Sequence, residues 1–267
     1  MSNQTFRRCA VVTGASSGLG EEFARQLASK CGVIILVARR AERLERLASE
    51  LRSGNSQLEV VVHVADLTVG TAREHFISTV DAAGLRPDLL INNAGMGDYG
   101  EFSSAEWSKL ESMLQLNIEA LTHLTHGLLP LMKRGGGGSI INVSSLASLL
   151  PIPDFAVYAA TKAYVTSFSE ALRIELAEHG IGVTALCPGP VHTGFGEVAM
   201  GARQESVFPG RELFYVDAAK VVSQALSGSK SNRARVFPGW QIAAAAVIIS
   251  AIPIALMRLA MSTRPRR

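Results

Sequence analysis

Short apolar runs rich in valine and isoleucine alternate with helix-length amphipathic segments along most of the chain. Seven of these runs are predicted as strands, at residues 9–14, 32–38, 58–66, 88–95, 138–145, 182–189 and 234–239. Their near-continuous apolar character suits strands that are buried on both faces. Segments such as EEFARQLASK and RAERLERLASELRS have helical patterns. Strands that alternate with helices predict a parallel sheet with right-handed crossovers and helices on both faces.

Length and composition favour one globular domain followed by a short tail. The chain has 267 residues, of which 48% are hydrophobic and 18% charged, so it is long enough for a packed core and is not a disordered sequence. No stretch resembles an interdomain linker. We therefore predict a single α/β domain over residues 1–240 and an additional apolar tail over residues 241–267.

Charge and cysteine content argue against several classes of function. The net charge is only +3 and much of the basic excess lies near the chain ends, so no basic stripe indicates nucleic-acid binding. Cys9, Cys31 and Cys187 are too scattered for a disulfide framework and indicate buried thiols in a reducing compartment, which favours a cytoplasmic protein. His123 and His126 share a predicted helix face, but no convincing set of further ligands accompanies them, and no metal site is predicted.

The first predicted strand runs directly into a glycine-rich turn, TGASSGLG at residues 13–20, and then into a helix. Glycines at positions 14, 18 and 20 allow a sharp turn and a close approach of backbone to a ligand. The free N–H groups and partial positive charge of a helix N-terminus attract a pyrophosphate. The spacing differs from the common G-x-G-x-x-G pattern, but its place between strand and helix predicts a dinucleotide phosphate loop.

Five short motifs occur together in one order. They are TGASSGLG (13–20), NNAG (92–95), SS (144–145), YAATK (158–162) and PGPVHTG (188–194). This set resembles the short-chain dehydrogenase/reductase family over roughly residues 7–240. The resemblance implies a three-layer, doubly wound parallel sheet of about seven strands (a Rossmann fold) that binds a nicotinamide dinucleotide at the carboxyl ends of its strands. The predicted cofactor-binding residues are Gly14, Ser16, Ser17, Gly18, Leu19, Gly20, Arg39, Arg40, Asp66, Leu67, Asn93, Ala94, Gly95, Tyr158, Lys162, Pro188, Gly189, Val191 and Thr193.

The end of the second predicted strand, LVARR, bears on the choice of cofactor. Enzymes selective for NAD commonly carry an acidic residue there, whereas a nearby arginine accommodates the 2′-phosphate of NADP. This chain has Ala38 at that position, followed by Arg39 and Arg40. A guanidinium binds a phosphate through a bidentate fork, so NADP(H) is the preferred cofactor, with NAD(H) as the alternative. By resemblance, Asp66 and Leu67 contact the adenine.

Tyr158 and Lys162 are four residues apart in a segment with a helical pattern, so they project from the same helix face. Asp154 is a candidate cap at the start of this helix, and Gly180 is a stop signal. Taken alone, the pair could be an ordinary surface contact. A neighbouring ammonium, however, favours the phenolate and lowers the tyrosine pKa, which suits proton transfer.

By resemblance, four residues form the catalytic set: Asn117, Ser145, Tyr158 and Lys162. Tyr158 is the proton donor, Lys162 also binds the nicotinamide ribose, Ser145 holds the substrate oxygen, and Asn117 holds a water behind the lysine. Ser144 is the competing serine, but the offset from the tyrosine (158 − 145 = 13) favours Ser145. The resemblance also implies that Val191 and Thr193 grip the nicotinamide carboxamide. Residues 194–215 are predicted to form a substrate lid.

The leading functional hypothesis is an NADPH-dependent oxidoreductase that reversibly reduces a small-molecule carbonyl to an alcohol. One alternative is a dinucleotide-binding regulatory protein without turnover. Another is a membrane-associated reductase of acyl or lipid carbonyls, which is suggested by the tail. Relatives in the resembled family commonly pair two helices across a twofold axis, here roughly 104–133 and 155–179, which predicts a homodimer or homotetramer.

The tail, residues 241–267, has an apolar stretch from Ile242 to Met257 that is interrupted by Pro253. A spanning helix needs about 20 residues, so a full transmembrane passage is not expected. The tail either packs on protein or lies in a membrane interface, with Trp240 and the arginines at the headgroups. Because the apolar residues surround the helix, packing on protein is favoured over membrane contact.

Overall fold

The computed structural model of the protein describes residues 8–200 and 215–262. The strands are β1 (Cys9–Thr13), β2 (Val33–Ala38), β3 (Glu59–Val64), β4 (Leu89–Asn92), β5 (Gly138–Val143), β6 (Ile181–Leu186) and β7 (Arg235–Val236). They form one parallel sheet in the order β3-β2-β1-β4-β5-β6-β7. The predicted doubly wound sheet is therefore confirmed, with each predicted strand present and trimmed by a few residues.

Helices connect the strands and cover both faces of the sheet. They are α1 (Gly18–Leu27), α2 (Ala41–Gly54), α3 (Gly70–Ala82), α4 (Trp107–Leu114), α5 (Leu121–Arg134), α6 (Ala156–Glu175), α7 (Gly194–Met200), α8 (Ala218–Lys230), α9 (Trp240–Ala251) and α10 (Ile254–Ser262). A π-helical turn, Gln115–Ala120, joins α4 to α5, and a 3₁₀ turn, Leu146–Leu149, follows β5.

The core has two halves, one on each face of the sheet. Because side chains alternate along a strand, Ala10 and Val12 of β1 pack toward α1, α2 and α8, whereas Cys9 and Val11 pack toward α3, α5 and α6. All five residues of β1 are buried. This three-layer arrangement brings the loops after β1, β2, β3, β4, β5 and β6 to one edge of the sheet, where ligands bind in folds of this kind.

Two local expectations are corrected by the structure, and a third is confirmed. The run at 58–66 was expected to be buried on both faces, but β3 lies at the edge of the sheet and Val64 is exposed. Asp154 does not cap α6, because the residue before the helix is Phe155, which makes no side-chain cap, and Asp154 adopts a positive φ of 61°. Gly180 does end the segment after α6, in the left-handed conformation at φ 65°.

The predicted lid and tail are described only in part. Residues 194–200 form α7, while 201–214 of the predicted lid lie outside the described residues. In the tail, α9 and α10 are separated at Ile252 and Pro253 and meet at 106°. Within the described ranges, no one helix has the length and apolar composition to cross a membrane, although α9 and α10 taken as a bent pair satisfy both criteria.

Candidate active site

The glycine-rich turn between β1 and α1 is tightly packed against the loop after β4. Gly14 has a positive φ of 66°, and a Cβ at this position would lie 2.8 Å from Asn93 Nδ2. A Cβ on Gly20 would collide with the carbonyl of Gly14. Ser17 precedes α1 and makes no side-chain cap, so the first N–H groups of the helix are not consumed by that residue. The turn therefore has the geometry of a phosphate cradle.

Thr13 joins this turn to the NNAG segment, a role that the sequence analysis did not assign. Its hydroxyl donates to the carbonyl of Ile91 (3.2 Å) and accepts from the backbone N–H groups of Asn93 and Ala94 (3.0 Å each). The signal was available, since a threonine directly precedes Gly14 at the end of a buried strand. Thr13 thus holds two predicted cofactor-binding residues beside the glycine turn.

Two arginines lie at the end of β2, but their environments differ. Arg40 donates from Nη2 to Ser16 Oγ (2.8 Å) and Ser17 Oγ (2.7 Å), so its guanidinium folds over the glycine-rich turn. Burial lowers the pKa of Arg40, and the charges of Arg43 and Arg39 lower it further. The side chain of Arg39 is 70% exposed. This concentration of positive charge fits the 2′-phosphate of a dinucleotide.

Asp66 ends the third strand region on the same side. Its Oδ1 accepts from the backbone N–H (3.0 Å) and hydroxyl (2.8 Å) of Thr68, and Arg39 lies 3.8 Å away. Burial alone would raise the pKa of Asp66, but the hydrogen bonds from Thr68 and the charge of Arg39 together lower it. The carboxylate is thus ionised and fixed at the predicted adenine contact.

Arg73 of α3 holds the loop after β3 in place, a role that was not predicted from the sequence. It is 1% exposed and donates to the carbonyls of Leu67 (2.7 Å) and Thr68 (3.1 Å), to His123 Nδ1 (3.1 Å) and to Glu119. The signal was a lone cation on the apolar stripe of α3, which it shares with Phe76 and Val80.

Within the described residues, no group of three or more potential ligands could hold a metal.

Tyr158 and Lys162 lie in the first two turns of α6 and are both buried. The ammonium of Lys162 lies 5.6 Å from the centroid of the Tyr158 ring and donates to the carbonyl of Val143 (2.9 Å). Burial lowers the pKa of Lys162 to about 8, although the neighbouring Cys187 raises it slightly. Such a pair is not the ordinary surface contact that the bare spacing would also have allowed.

The pKa of Tyr158 differs from the sequence expectation. Burial raises it to about 12, an effect that the neighbouring Ser145 opposes. The Tyr158 ring is stacked with that of Phe155, and the Lys162 ammonium donates to the backbone of β5. Tyr158 is therefore protonated at neutral pH.

The two adjacent serines are separated by the structure. Ser144 is buried, donates to the carbonyl of Lys162 (2.8 Å) and shares a hydrogen bond with Thr166 (2.7 Å). The hydroxyl of Ser145 accepts from the N–H of Ala147 (3.1 Å), and its interaction with Tyr158 lowers the pKa of that tyrosine. Of the two serines, Ser145 is therefore the one that lies beside Tyr158.

Asn117 lies within the π-helical turn and faces the other side of Lys162. Its Oδ1 accepts from the N–H of Met96 (2.9 Å), and its Nδ2 donates to the carbonyl of Met96 (2.9 Å) and to Thr161 (3.0 Å). A Cβ on Gly95 would lie 3.2 Å from Asn117 Oδ1 and 3.4 Å from Lys162 Nζ. The absence of a side chain at Gly95 therefore leaves room between Asn117 and Lys162. Turns of π-helix are often found at functional sites.

The segment after β6 closes the site. The carbonyl of Pro188 accepts from the N–H of Leu146 (2.8 Å), and Val191 forms a bridge with Val216. A Cβ on Gly18 would lie 3.3 Å from Thr193, so the predicted carboxamide-binding residues adjoin the phosphate turn. The structure thus gathers the predicted cofactor-binding residues, from Gly14 to Thr193, along one edge of the sheet.

An aromatic wall borders the Tyr158 hydroxyl. Phe155 stacks on the Tyr158 ring with centroids 4.2 Å apart, Phe195 of α7 lies 5.7 Å from it, and Tyr99 lies 5.7 Å from Phe155. None of these aromatic contacts was predicted, because they join three separate loops. They line the side of the site from which a substrate would approach.

Comparison with known proteins places this geometry in a family. The sequence profile described as short chain dehydrogenase matches residues 8–202. Sulfoacetaldehyde reductase 2 of Chromohalobacter salexigens is 36% identical over 199 residues, which cover 73% of this chain and 77% of the relative. The very-long-chain 3-oxoacyl-CoA reductase of Podospora anserina is 35% identical over 207 residues, which cover 77% of this chain and 60% of the relative.

A solved structure agrees over nearly the whole chain. The short-chain dehydrogenase from Sphingobium yanoikuyae in complex with NADPH has a TM-score of 0.80 to this structure and 28% sequence identity, with 97% of both chains covered. The glycine turn, the strand order and the family match all lead to the same assignment. The chain belongs to the short-chain dehydrogenase/reductase family of oxidoreductases, which act on CH–OH and C=O groups with a nicotinamide cofactor.

Proposed function

We propose that the protein reduces a small-molecule carbonyl to an alcohol with NADPH, in a reversible reaction. The observation that carries this proposal is the placement of Tyr158 and the buried Lys162 one turn apart on α6, with the Lys162 ammonium 5.6 Å from the centroid of the Tyr158 ring. Ser145 lies close enough to Tyr158 to lower the pKa of that tyrosine, so both hydroxyls can bind the same substrate oxygen. When bound, the reduced nicotinamide supplies a hydride to the carbonyl carbon.

Each of the four predicted catalytic residues has a distinct task in this proposal. Ser145 and Tyr158 hold the carbonyl oxygen and polarise the C=O bond, and Tyr158 donates its proton to that oxygen. Lys162 binds the nicotinamide ribose and brings a positive charge close to the phenolate that forms. Asn117 occupies the turn behind the lysine and holds a water through which the proton is replaced. Burial keeps Tyr158 protonated at neutral pH, which supports the reductive direction.

The preference for NADPH over NADH is supported by the charges after β2. Residue 38 is an alanine and not an acidic residue. Arg40 lies over the glycine-rich turn, and the side chain of the preceding residue, Arg39, is exposed. A phosphate can bind both guanidinium groups, and a 2′-hydroxyl gains much less from them. The solved relative from Sphingobium yanoikuyae contains NADPH, which is in line with this choice.

Three further features belong to the proposal. The aromatic wall of Tyr99, Phe155 and Phe195 favours a substrate with an apolar substituent. We also propose a homodimer or homotetramer built on α4, α5 and α6, because Trp107 and Ile174 on these helices are exposed apolar residues. The buried thiols of Cys9, Cys31 and Cys187 support a cytoplasmic location.

The test is the substitution Tyr158→Phe, with Tyr164→Phe as the matched control. Both tyrosines lie on α6, but Tyr164 is hydrogen-bonded to Thr122 away from Lys162. Tyr158→Phe should bind NADPH normally and lose at least about 10²-fold in kcat, because general acid–base catalysis contributes about 10²- to 10⁴-fold. Tyr164→Phe should retain its activity. A folded Tyr158→Phe variant with near-normal kcat would refute the role of the tyrosine and favour the alternative of a dinucleotide-binding regulator.

A further inference from the structure

The helices α9 and α10, here called the tail helices, leave most of their apolar surface uncovered by the rest of the described chain. Only Ile242 and Ala246 of the tail helices are buried. The exposed large apolar residues of this segment are Trp240 (75% exposed), Val247 (70%), Ile248 (62%), Ile252 (37%), Ile254 (52%), Leu256 (57%) and Leu259 (64%). An exposed apolar surface of this density marks a protein or membrane interaction site.

The shape of the tail helices suits a bilayer surface better than a bilayer crossing. At 1.5 Å per residue, α9 is about 18 Å long and α10 about 14 Å long, whereas the hydrocarbon core is about 30 Å thick. Pro253 interrupts the backbone ladder, and the two helices meet at 106°. Two short apolar helices joined at such an angle can both lie in the interfacial layer.

The charge of this segment indicates which surface it meets. Residues 240–267 contain four arginines and no aspartate or glutamate. Arg258 lies on α10 and is exposed. Arg264, Arg266 and Arg267 lie outside the described residues and add three positive charges to the segment. Exposed apolar side chains in a segment of net positive charge match the acyl boundary and headgroups of an anionic membrane.

A second copy of the chain is a poorer match for the same surface. Two tail segments brought together about a twofold axis would combine eight positive charges (4 + 4), with no carboxylate from either tail to offset them. The sequence-based preference for packing on protein rested on the all-round apolarity of the tail, but the described part of the chain covers only one side of α9 and almost nothing of α10. We therefore propose that the tail helices dock on an anionic phospholipid bilayer.

This docking surface is joined directly to the catalytic end of the molecule. α9 contacts the 3₁₀ turn Leu146–Leu149, which begins one residue after Ser145. Ile242 packs in the same cluster as Val216, which bridges Val191 after β6. A bilayer bound to α9 and α10 therefore lies close to the turn that follows Ser145. Resting on the proposed function, this placement suits an amphiphilic carbonyl compound that partitions into the membrane.

The experiment compares the sedimentation of the full chain with vesicles of phosphatidylcholine alone and vesicles that also contain phosphatidylglycerol. Leu259→Glu on α10 is paired with Val64→Glu on β3, at the opposite edge of the sheet from β7, since both replace an exposed apolar residue by the same charge. Leu259→Glu should weaken binding to the anionic vesicles at least about tenfold, because it removes a leucine from the membrane contact. Arg258→Gln should weaken it about fivefold and reduce its salt dependence.

The proposal predicts that Val64→Glu binds like the parent chain and that light scattering gives the same mass for Leu259→Glu. Thermal melting confirms that each variant is folded. Absence of binding to anionic vesicles, or equal binding by the Leu259→Glu and Val64→Glu variants, would overturn the proposal. A lower oligomer mass for Leu259→Glu with unchanged vesicle binding would assign the surface to a second copy instead. Because the assay needs no turnover, Tyr158→Phe should bind vesicles normally whether or not the proposed reaction is correct.

Discussion

Replacement of Lys162 by methionine should separate the cost of burying this charge from its use in catalysis. Lys162 is 5% exposed, and burial lowers its pKa from 10.5 to about 8. This shift of 10.5 − 8 = 2.5 units costs about 3 kcal/mol of folding free energy at neutral pH, at 1.36 kcal/mol per unit. Methionine removes this cost, but it also leaves the carbonyl of Val143 without its donor. The lost hydrogen bond destabilises the fold by about 1–3 kcal/mol. At pH 7 the Lys162→Met variant should therefore be as stable as the parent chain or up to about 2 kcal/mol more stable.

The pH dependence gives a sharper measurement than the single value at neutral pH. Between pH 8 and 10.5 the unfolded chain binds a proton on Lys162 that the folded chain has lost, so the stability of the parent rises with pH through this window. Below pH 8 the lysine is protonated in both states, and the difference between the two proteins stays constant. Relative to Lys162→Met, the parent should gain about 3 kcal/mol across the window.

The assay is urea unfolding at steps from pH 7 to pH 10, followed by tryptophan fluorescence. Lys230→Met on α8 is the matched control at an exposed position and should show no such relative change. The Lys162→Met variant should also lose NADPH-dependent turnover. A constant difference in unfolding free energy between the parent and Lys162→Met across this range would refute the argument that burial of the ammonium strains the fold.

Three further predictions concern the cofactor, its supporting loop and the assembly. Arg39→Ala and Arg40→Ala should each weaken NADPH by about ten- to a hundredfold and NADH much less, because a charge-assisted pair contributes about 1.5–3 kcal/mol; equal losses in titrations with both cofactors would make these arginines structural. Arg73→Met removes the donor to the carbonyls of Leu67 and Thr68, so urea unfolding should show a free energy of unfolding lower by about 1–3 kcal/mol. Titrations should show that NADPH and NADH binding are weakened alike. A stability equal to that of the parent would contradict the role of these bonds. Light scattering at micromolar concentration should give the mass of a dimer or tetramer, and a monomer would count against an interface on α4, α5 and α6.

The sheet was predictable because its strands carry their own signal. Buried parallel strands must be apolar on both faces, so runs such as VIILVA of β2 stand out from the helical segments around them. The signal failed where burial depends on position in the sheet. The valine-rich β3 is only half-covered because no strand lies beyond it, and β7 consists of only two paired residues, Arg235 and Val236.

The site was predictable where a residue type is dictated by backbone geometry or by local spacing. Gly14 is needed for a positive φ, and Tyr158 and Lys162 are held together by one helix. Contacts that depend on loop paths and side-chain rotamers were not predictable. The stacking of Phe155 on Tyr158 depends on the path of the loop before α6, and the position of Arg40 over the serines depends on a side-chain rotamer. The high pKa of Tyr158 follows from that same burial, which local spacing does not reveal.

The strand order also fixes when the protein can fold during its synthesis. β1 lies in the middle of the sheet and pairs with β2 on one side, but its other neighbour is β4, about 80 residues later in the chain. When only β1, β2 and β3 have emerged from the ribosome, the second edge of β1 has unpaired N–H and C=O groups, and Cys9 and Val11 have no helix α5 to cover them. Such an edge pairs readily with other chains. That edge therefore stays open until Asp88 arrives and its N–H and carboxylate bond to the backbone of Cys9.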